Sequence, residues 1–302
     1  MLALAAAFAA GCGGGGQSAT AGGGSSNSTI DAVGAEHQYA NVIEQIGGKY
    51  VKVTAIESNP NTDPHTFEAS PSVAEAVSSA SLLVENGVGY DTYMEKIEGA
   101  SPNARRKVIN VQKLLGLPES TPNPHLWYKP TTMGAVAKAI ASDLSALQPA
   151  HAAYFQTNDA AFEASSKPWL RALAQFKARY SGTTVATTEP VADYMLEAAG
   201  TRNLTPFPLQ ADIMNGTDPA PQLVTLQNSL FSGHKVKVFV HNQQVTDSLT
   251  ESFVHAAKGA GIPVVGVYET MPTPGYDYQS WMLAEVKAIE KAVAQDISTE
   301  KL

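Results

Sequence analysis

The amino-acid sequence predicts an α/β fold of two lobes, each with a mainly parallel sheet flanked by helices, joined by a long helical backbone. Two observations predict it. Short apolar runs rich in β-branched residues recur between stretches of helical period, which is the pattern of βαβ units and parallel strands. The runs also fall into two groups, four before residue 120 and three or more after residue 180, with a long helix-like stretch between them.

Residues 1–28 stand apart from both groups. Met1 to Gly11 is almost wholly small or apolar and ends Ala9-Ala10-Gly11-Cys12. A small-residue run closed by the chain's only cysteine has the form of a secretory leader with a lipoprotein cleavage site. Cys12 is therefore expected to become the first mature residue and to carry lipid. From Gly13 to about Ser28 the chain is mostly Gly, Ser, Ala and Thr without apolar period, a flexible tether.

Residues 29–148 are expected to form the first lobe. Its strands are read at Thr29–Val33, Val51–Ile56, Ser81–Val84 and Lys107–Asn110, and its helices at Tyr39–Ile46, Val73–Ser79 and Thr132–Leu147. Residues 149–179 are read as the linking helix, because Tyr154, Phe155, Phe162, Trp169, Leu170, Leu173 and Phe176 recur at roughly helical spacing. Such a helix reaches about 45 Å at 1.5 Å per residue. Pro168 is expected to kink or divide it. Residues 180–302 form the second lobe, with strands at Thr183–Thr187, Lys235–Val240 and Pro263–Tyr268 and helices at Val191–Ala199, Thr246–Gly259 and Gln279–Ala294.

Composition narrows the function. Roughly 275 residues beyond the tether suffice for two apolar cores. With Cys12 committed to lipid, no disulfide is available. The chain carries 28 acidic and 20 basic side chains, a net charge of −8. That counts against a nucleic-acid partner, which needs clustered Lys and Arg, and mildly favours cations. No segment after the leader is apolar for about 20 residues, so none is expected to span a membrane.

Two tripeptides carry the chemistry, Asp63-Pro64-His65 and Asn123-Pro124-His125. Proline fixes its own φ and extends the residue before it, so each imidazole hangs from a stiff loop. Neutral imidazole is the commonest protein metal ligand, and this chain has only seven histidines. In parallel α/β sheets, ligands gather beyond the carboxyl ends of strands. His65 follows the strand ending at Ile56, and His125 follows the strand ending near Asn110. In the second half, Val185-Ala186-Thr187-Thr188 runs into Glu189, and Val264 to Tyr268 runs into Glu269. Two histidines from one lobe and two carboxylates from the other therefore face a shared cleft.

Two neutral imidazoles and two carboxylates neutralise one divalent cation. Mixed N and O donors suit Zn²⁺, Mn²⁺ or Fe²⁺, and the absence of thiolate argues against Cu(I). Four protein ligands make a closed holding site, whereas catalytic zinc keeps a position open for water. His241, at the end of a predicted strand, reads first as a hydrogen-bonding residue of the cleft wall. Asp277 is the reserve candidate for a fourth ligand.

Five stretches carry a family resemblance: Ser58 to Glu68, Val84 to Tyr90, Asn123-Pro124-His125-Leu126-Trp127, Glu189 to Met195, and Tyr268-Glu269-Thr270-Met271-Pro272. In them the chain resembles the helix-linked zinc/manganese solute-binding lipoproteins of ABC importers. The resemblance implies metal ligands at His65, His125, Glu189 and Glu269, and one divalent ion, Zn²⁺ or Mn²⁺, as transported ligand rather than catalyst. Position 189 is where zinc members often carry His and manganese members Glu. The resemblance further implies an ABC permease with its ATPase as partner, a monomer, and an extracytoplasmic protein lipid-anchored to the cell membrane.

Two departures bear on the cation. The second histidine motif continues Tyr128-Lys129-Pro130 where many members have Leu-Asp-Pro. Many zinc importers carry a His- and acid-rich loop between the histidine motifs, whereas Val111 to Thr121 holds no histidine and one acid, Glu119. With Glu189, this tilts toward manganese or a general divalent site, yet zinc outcompetes manganese at most N/O sites. The choice between zinc and manganese stays open. Among other functions, a zinc hydrolase wants a run such as His-Glu-x-x-His, which is absent from the chain. A siderophore or haem cleft would favour Arg and aromatic side chains over convergent His and Glu. A surface adhesin is compatible with metal binding.

Overall fold

The computed structural model describes residues 1–3, 29–272 and 275–302. Cys12 and the tether lie outside the described residues. The first sheet and its helices run β1 Ile30–Glu36, α1 His37–Gly47, β2 Val51–Glu57, α2 Pro71–Ser79, β3 Leu82–Glu85, α3 Thr92–Ala100, β4 Lys107–Asn110, α4 Val111–Leu114 and α5 Thr132–Leu147. After the long α6 Ala152–Tyr180 come β5 Thr184–Thr187, α7 Asp193–Ala198, β6 Arg202–Asn203, α8 Phe207–Met214, α9 Pro221–Ser232, β7 Val238–Asn242, α10 Ser248–Gly259, β8 Val264–Val267 and α11 Tyr278–Gln295.

Each half builds one four-stranded parallel sheet with the same order, β2-β1-β3-β4 and β6-β5-β7-β8. In both, chain direction across the sheet reverses at the first strand of that half. Ligands collect at that switch point, beyond the carboxyl ends of the central strands. Here those ends deliver Glu85 and Asn86 from β3, Thr188 and Glu189 from β5, and Asn242 from β7.

Strand alternation gives each sheet two buried faces. Ala32, Leu82 and Val84 of the first sheet and Val185, Val238, Val240, Val265 and Val267 of the second belong to one apolar core that spans both halves. Their neighbours face outward-lying cores: Val33, Ala35 and Leu83 pack with Val77 and Met94, and Ala186, Phe239 and Val264 pack with Leu230 and Phe253. Most of the apolar residues of α6 turn inward as their spacing predicts, but Tyr154 and Leu170 are exposed, because each lies one residue, about 100° of helix, from a buried aromatic. Phe155, Phe162, Trp169 and Phe176 are buried in the shared core, each contributing on the order of 2 kcal/mol by apolar burial.

The helix continues through Pro168 rather than dividing there. Proline removes one amide donor from the helix. Trp169 next to it is buried and packs edge-on against Tyr278 at 6.3 Å, so tertiary packing holds both sides of the defect in one helix. Four other α-helices, α3, α4, α8 and α9, and the two-residue β6 have no counterpart in the sequence reading. The last pairs with β5 through two residues only, too few for an alternation signal.

Candidate metal centre

Three predicted ligands meet in one place. The ligand atoms of His65, His125 and Glu269 all lie within 4.8 Å of one another. His125 Nε2 is 3.1 Å and His65 Nε2 3.3 Å from the same carboxylate oxygen, Glu269 Oε2. His125 and Glu269 are fully buried, while the His65 side chain is 18% exposed. A cavity of about 580 Å³ opens on the His65 side, bounded by Glu57, Asp63, His65 and Tyr90 and reaching across to Asn215.

Local sequence sets each histidine. Asp63 Oδ1 accepts the backbone N–H of His65 at 2.8 Å, closing a tight turn around Pro64. Asn123 Oδ1 accepts from the His125 backbone N–H at 3.0 Å and bonds the ring at Nδ1 at 2.8 Å. Its amide donates to the Pro190 carbonyl at 2.8 Å, which leaves the carbonyl end of Asn123 facing the ring. An acceptor at Nδ1 demands Nδ1–H, so the neutral ring presents its lone pair at Nε2. Burial keeps His125 below the ordinary imidazole range despite the nearby carboxylate. A lone pair aimed at a carboxylate oxygen 3.1 Å away wants a cation between them, a proton or a metal ion.

Glu269 is the hub. Burial pushes its pKa up, but His125 and His65 outweigh this and hold it well below the carboxylate range. Oε2 also accepts from Tyr90 Oη at 2.9 Å, and Oε1 accepts from Asn242 Nδ2 at 2.7 Å. His65 moves the other way from His125: burial lowers its pKa, yet the Glu269 charge leaves it raised overall.

Glu189 is not in the three-atom cluster. It is buried beside it, its Oε1 taking the same Asn242 amide at 3.2 Å, while Oε2 is buried with no hydrogen-bond partner. Burial, and then the Glu269 charge, raise its pKa well above the ordinary value. His241 points elsewhere. It is buried with its ring stacked on Phe239 at 6.4 Å, and burial lowers its pKa to about 4. Asp277 caps α11, its Oδ1 accepting from Ser280 N at 2.8 Å, and is not among the gathered atoms.

Several partners carried no role in the sequence reading: Tyr90, Asn123, Asn242 and Gln244. Tyr90 is delivered by Gly87-Val88-Gly89, whose φ values are all positive at 77, 56 and 75°. Glycine adopts this freely, but Val88 stores on the order of 1 kcal/mol of strain there, held by its N–H donating to Gln112 Oε1 at 2.8 Å. The first sheet also ends in a row of buried acids, Glu36, Glu57 and Glu85. Burial, then the nearby Asp91 charge, raises the Glu57 pKa to about 9. Glu57 therefore holds a proton at neutral pH and competes weakly for cations.

Comparison with known proteins identifies the family and the fold. The family described as the periplasmic zinc-uptake complex component A, ZnuA, matches residues 33–292. The manganese-binding lipoprotein MntA of Bacillus subtilis is 30% identical over 139 residues, 44% of this chain and 45% of that protein. The chain thus spans less than half the length of that curated relative. Among solved structures, the laminin-binding protein Lbp of Streptococcus pyogenes superposes with a TM-score of 0.72 at 18% identity, covering 88% of this chain and 99% of that one. The solute-binding protein FpvC of Pseudomonas aeruginosa in complex with Mn²⁺ gives 0.71 at 19% identity, covering 89% and 99%. At such identities the shared feature is the fold: two parallel sheets flanked by helices, with one long helix.

Proposed function

The chain belongs to the family of periplasmic zinc-uptake complex component A, and from that premise we propose that it is an extracytoplasmic solute-binding protein that captures one divalent transition metal, zinc or manganese, and delivers it to an ABC-type importer. The observation that carries the reading is the convergence of His65 Nε2, His125 Nε2 and Glu269 within 4.8 Å, inside a buried pocket. Residues 29–148 and 180–302 act as two lobes joined by the segment 149–179, with the metal held between them. His65, His125 and Glu269 are three ligands. Glu189 supplies the fourth, its buried Oε2 lacking any other partner.

The cargo leaves to a permease with its ATPase, and the protein acts as a monomer tethered through lipid on Cys12. No helix among the described residues is long and apolar enough to cross a membrane, which is compatible with such a tether. The test is elemental analysis of protein purified without added metal, followed by Zn²⁺ and Mn²⁺ competition. One ion per chain is expected; a chain that neither retains nor takes up either ion would overturn the reading.

Protons compete with metal for the imidazoles, so affinity depends on pH. The sign follows from the shifts. Glu269 is held low and stays ionised at mildly acidic pH. His65, raised by Glu269, protonates first, and His125, lowered by burial, follows. Affinity is expected to begin falling above about 6.5, the ordinary imidazole value, where His65 takes its proton, and to fall more steeply below it as His125 follows. Titrations between about pH 7.5 and 5.5 check this; a flat profile would remove histidine from the site.

Glu189 is expected to set cation choice. In Glu189→His an imidazole replaces an oxygen donor, and one negative charge is lost. Imidazole suits zinc and carboxylate suits manganese, so the Zn²⁺/Mn²⁺ affinity ratio is expected to rise. A ratio that stays level or falls in paired competition titrations would place Glu189 outside the ligand set.

A further inference from the structure

We propose that Gln244 is the latch that holds the His65 loop of the first lobe closed against the second lobe; the proposal rests on the metal-holding reading above. Gln244 follows β7 and is buried. Its carbonyl Oε1 accepts from the backbone N–H groups of both Glu269 and Thr270, each at 2.7 Å. Its amide Nε2 donates to the Thr62 carbonyl at 2.7 Å and to Thr270 Oγ1 at 3.2 Å. Its own N–H donates to Asn242 Oδ1 at 3.0 Å. A side-chain carboxamide offers two lone pairs and two N–H donors, and here all four are used.

The two ends of Gln244 reach the two sides of the site. One end positions the backbone of Glu269. The other grips Thr62, three residues before His65, on the loop that Asp63 folds around Pro64. His65 and Glu269 belong to opposite lobes, and Gln244 ties the segment of each to the other.

The two histidines are not held alike. On the His125 side the lobes are joined by three buried bonds, Asn123 to Pro190, Tyr128 to Tyr268 and Tyr278 to Trp127, and by a part-buried one from Tyr194 to Asn123. On the His65 side, among the described residues, loop 58–68 is tied to the second lobe by the hydrogen bond from Gln244 to the Thr62 carbonyl and by the contact of His65 itself with Glu269 at 3.3 Å, so Gln244 is the tie that does not run through a metal ligand. That loop also borders the open cavity and carries the part-exposed histidine. The geometry makes the His125 side the fixed seam and the His65 side the gate. Gln244 acts on the gate as a positioning residue, not as a ligand.

The experiment uses stopped-flow release of Zn²⁺ and of Mn²⁺ from the full chain into excess chelator, comparing wild type, Gln244→Glu, Gln244→Met and His65→Ala. An ionised glutamate keeps the two acceptor bonds to the 269–270 backbone but cannot donate to the Thr62 carbonyl. Its added negative charge would by itself slow release, so any acceleration runs against that bias. Gln244→Glu is expected to release metal roughly five- to tenfold faster, the effect of one lost hydrogen bond facing an unpaired carbonyl. Amide exchange of the metal-loaded protein is expected to show residues 58–65 losing protection while 269–270 keep theirs.

Release from Gln244→Glu at the wild-type rate, with only Gln244→Met accelerated, would confine Gln244 to propping its own lobe and overturn the latch. Release at the wild-type rate from both variants would overturn it as well. If Gln244→Glu does not fold, Gln244→Met is read by the same exchange experiment, and retained protection at 58–65 overturns the proposal. His65→Ala separates the two levels. Weakened metal affinity there with unaltered Gln244 variants removes the latch alone, whereas unchanged affinity removes the metal site on which it rests.

Discussion

Alanine at position 125 is expected to weaken Zn²⁺ and Mn²⁺ binding by at least about a hundredfold, near 2.7 kcal/mol, and alanine at position 65 by at least about tenfold. The difference comes from how the two rings are held. His125 is fully buried, and Asn123 fixes both its backbone and its Nδ1 atom. A ligand pre-oriented in this way pays little ordering entropy when metal arrives. His65 hangs from a loop at the cavity edge with 18% of its side chain exposed, so a water molecule can take part of its place. His125→Ala keeps a bond to Asn123, because the backbone N–H remains, and the fold is expected to survive. Isothermal titration of both variants beside wild type reads the effect. Unchanged isotherms in both would dismiss the site, and a larger loss at 65 than at 125 would dismiss the argument from pre-organisation.

The difference between the two histidines was not legible in the sequence, where Asp63-Pro64-His65 and Asn123-Pro124-His125 share one grammar. The stiffness that proline confers predicted both loops. What separates them is what each loop meets in the other lobe, a contact of long sequence separation that no local pattern encodes. The strand ends were legible because parallel sheets place ligands there as a rule of topology. Glu189 and Glu269 were found by that rule; the structure gathers Glu269 with the two histidines and leaves Glu189 buried beside them, outside the three-residue cluster.

Strand alternation explains why His241, expected at the cleft wall, turns away from the site. Successive side chains of a strand face opposite sides, so His241 turns with Phe239 into the second lobe while its neighbour Asn242 reaches Glu189 and Glu269. A histidine draws attention and an asparagine does not, yet the period-two rule applied from Phe239, a core residue, would have pointed to Asn242. Gln244 and Asn123 escaped for a related reason. Carboxamides have no charge and no titration to flag them, and their work here lies in bonds to groups distant in sequence.

Glu269→Gln is expected to lower affinity for both cations by a hundredfold or more. Gln has nearly the shape of Glu, so the loss isolates charge and hydrogen-bond polarity. The site would lose the carboxylate that His65 and His125 hold ionised, leaving Glu189 as the remaining acid of the proposed set. Burial alone pushes that acid toward its neutral form, even with the charge of Glu269 removed. Polarity adds a second penalty. Both carboxylate oxygens of Glu269 are met by donors, with Tyr90 Oη at Oε2 and Asn242 Nδ2 at Oε1. An amide must turn its NH₂ toward one of them, so one donor faces another wherever the side chain flips. Removing one partner of a buried charge network costs several kcal/mol in comparable settings, which can also lower the melting temperature. Glu269→Asp therefore accompanies it, keeping the charge and both acceptors on a shorter arm. The aspartate variant is expected to recover at least part of the affinity. If it binds no better than Gln while both melt like wild type, the carboxylate's position rather than its charge decides binding. If Glu269→Gln binds metal like wild type, Glu269 is not a ligand at all.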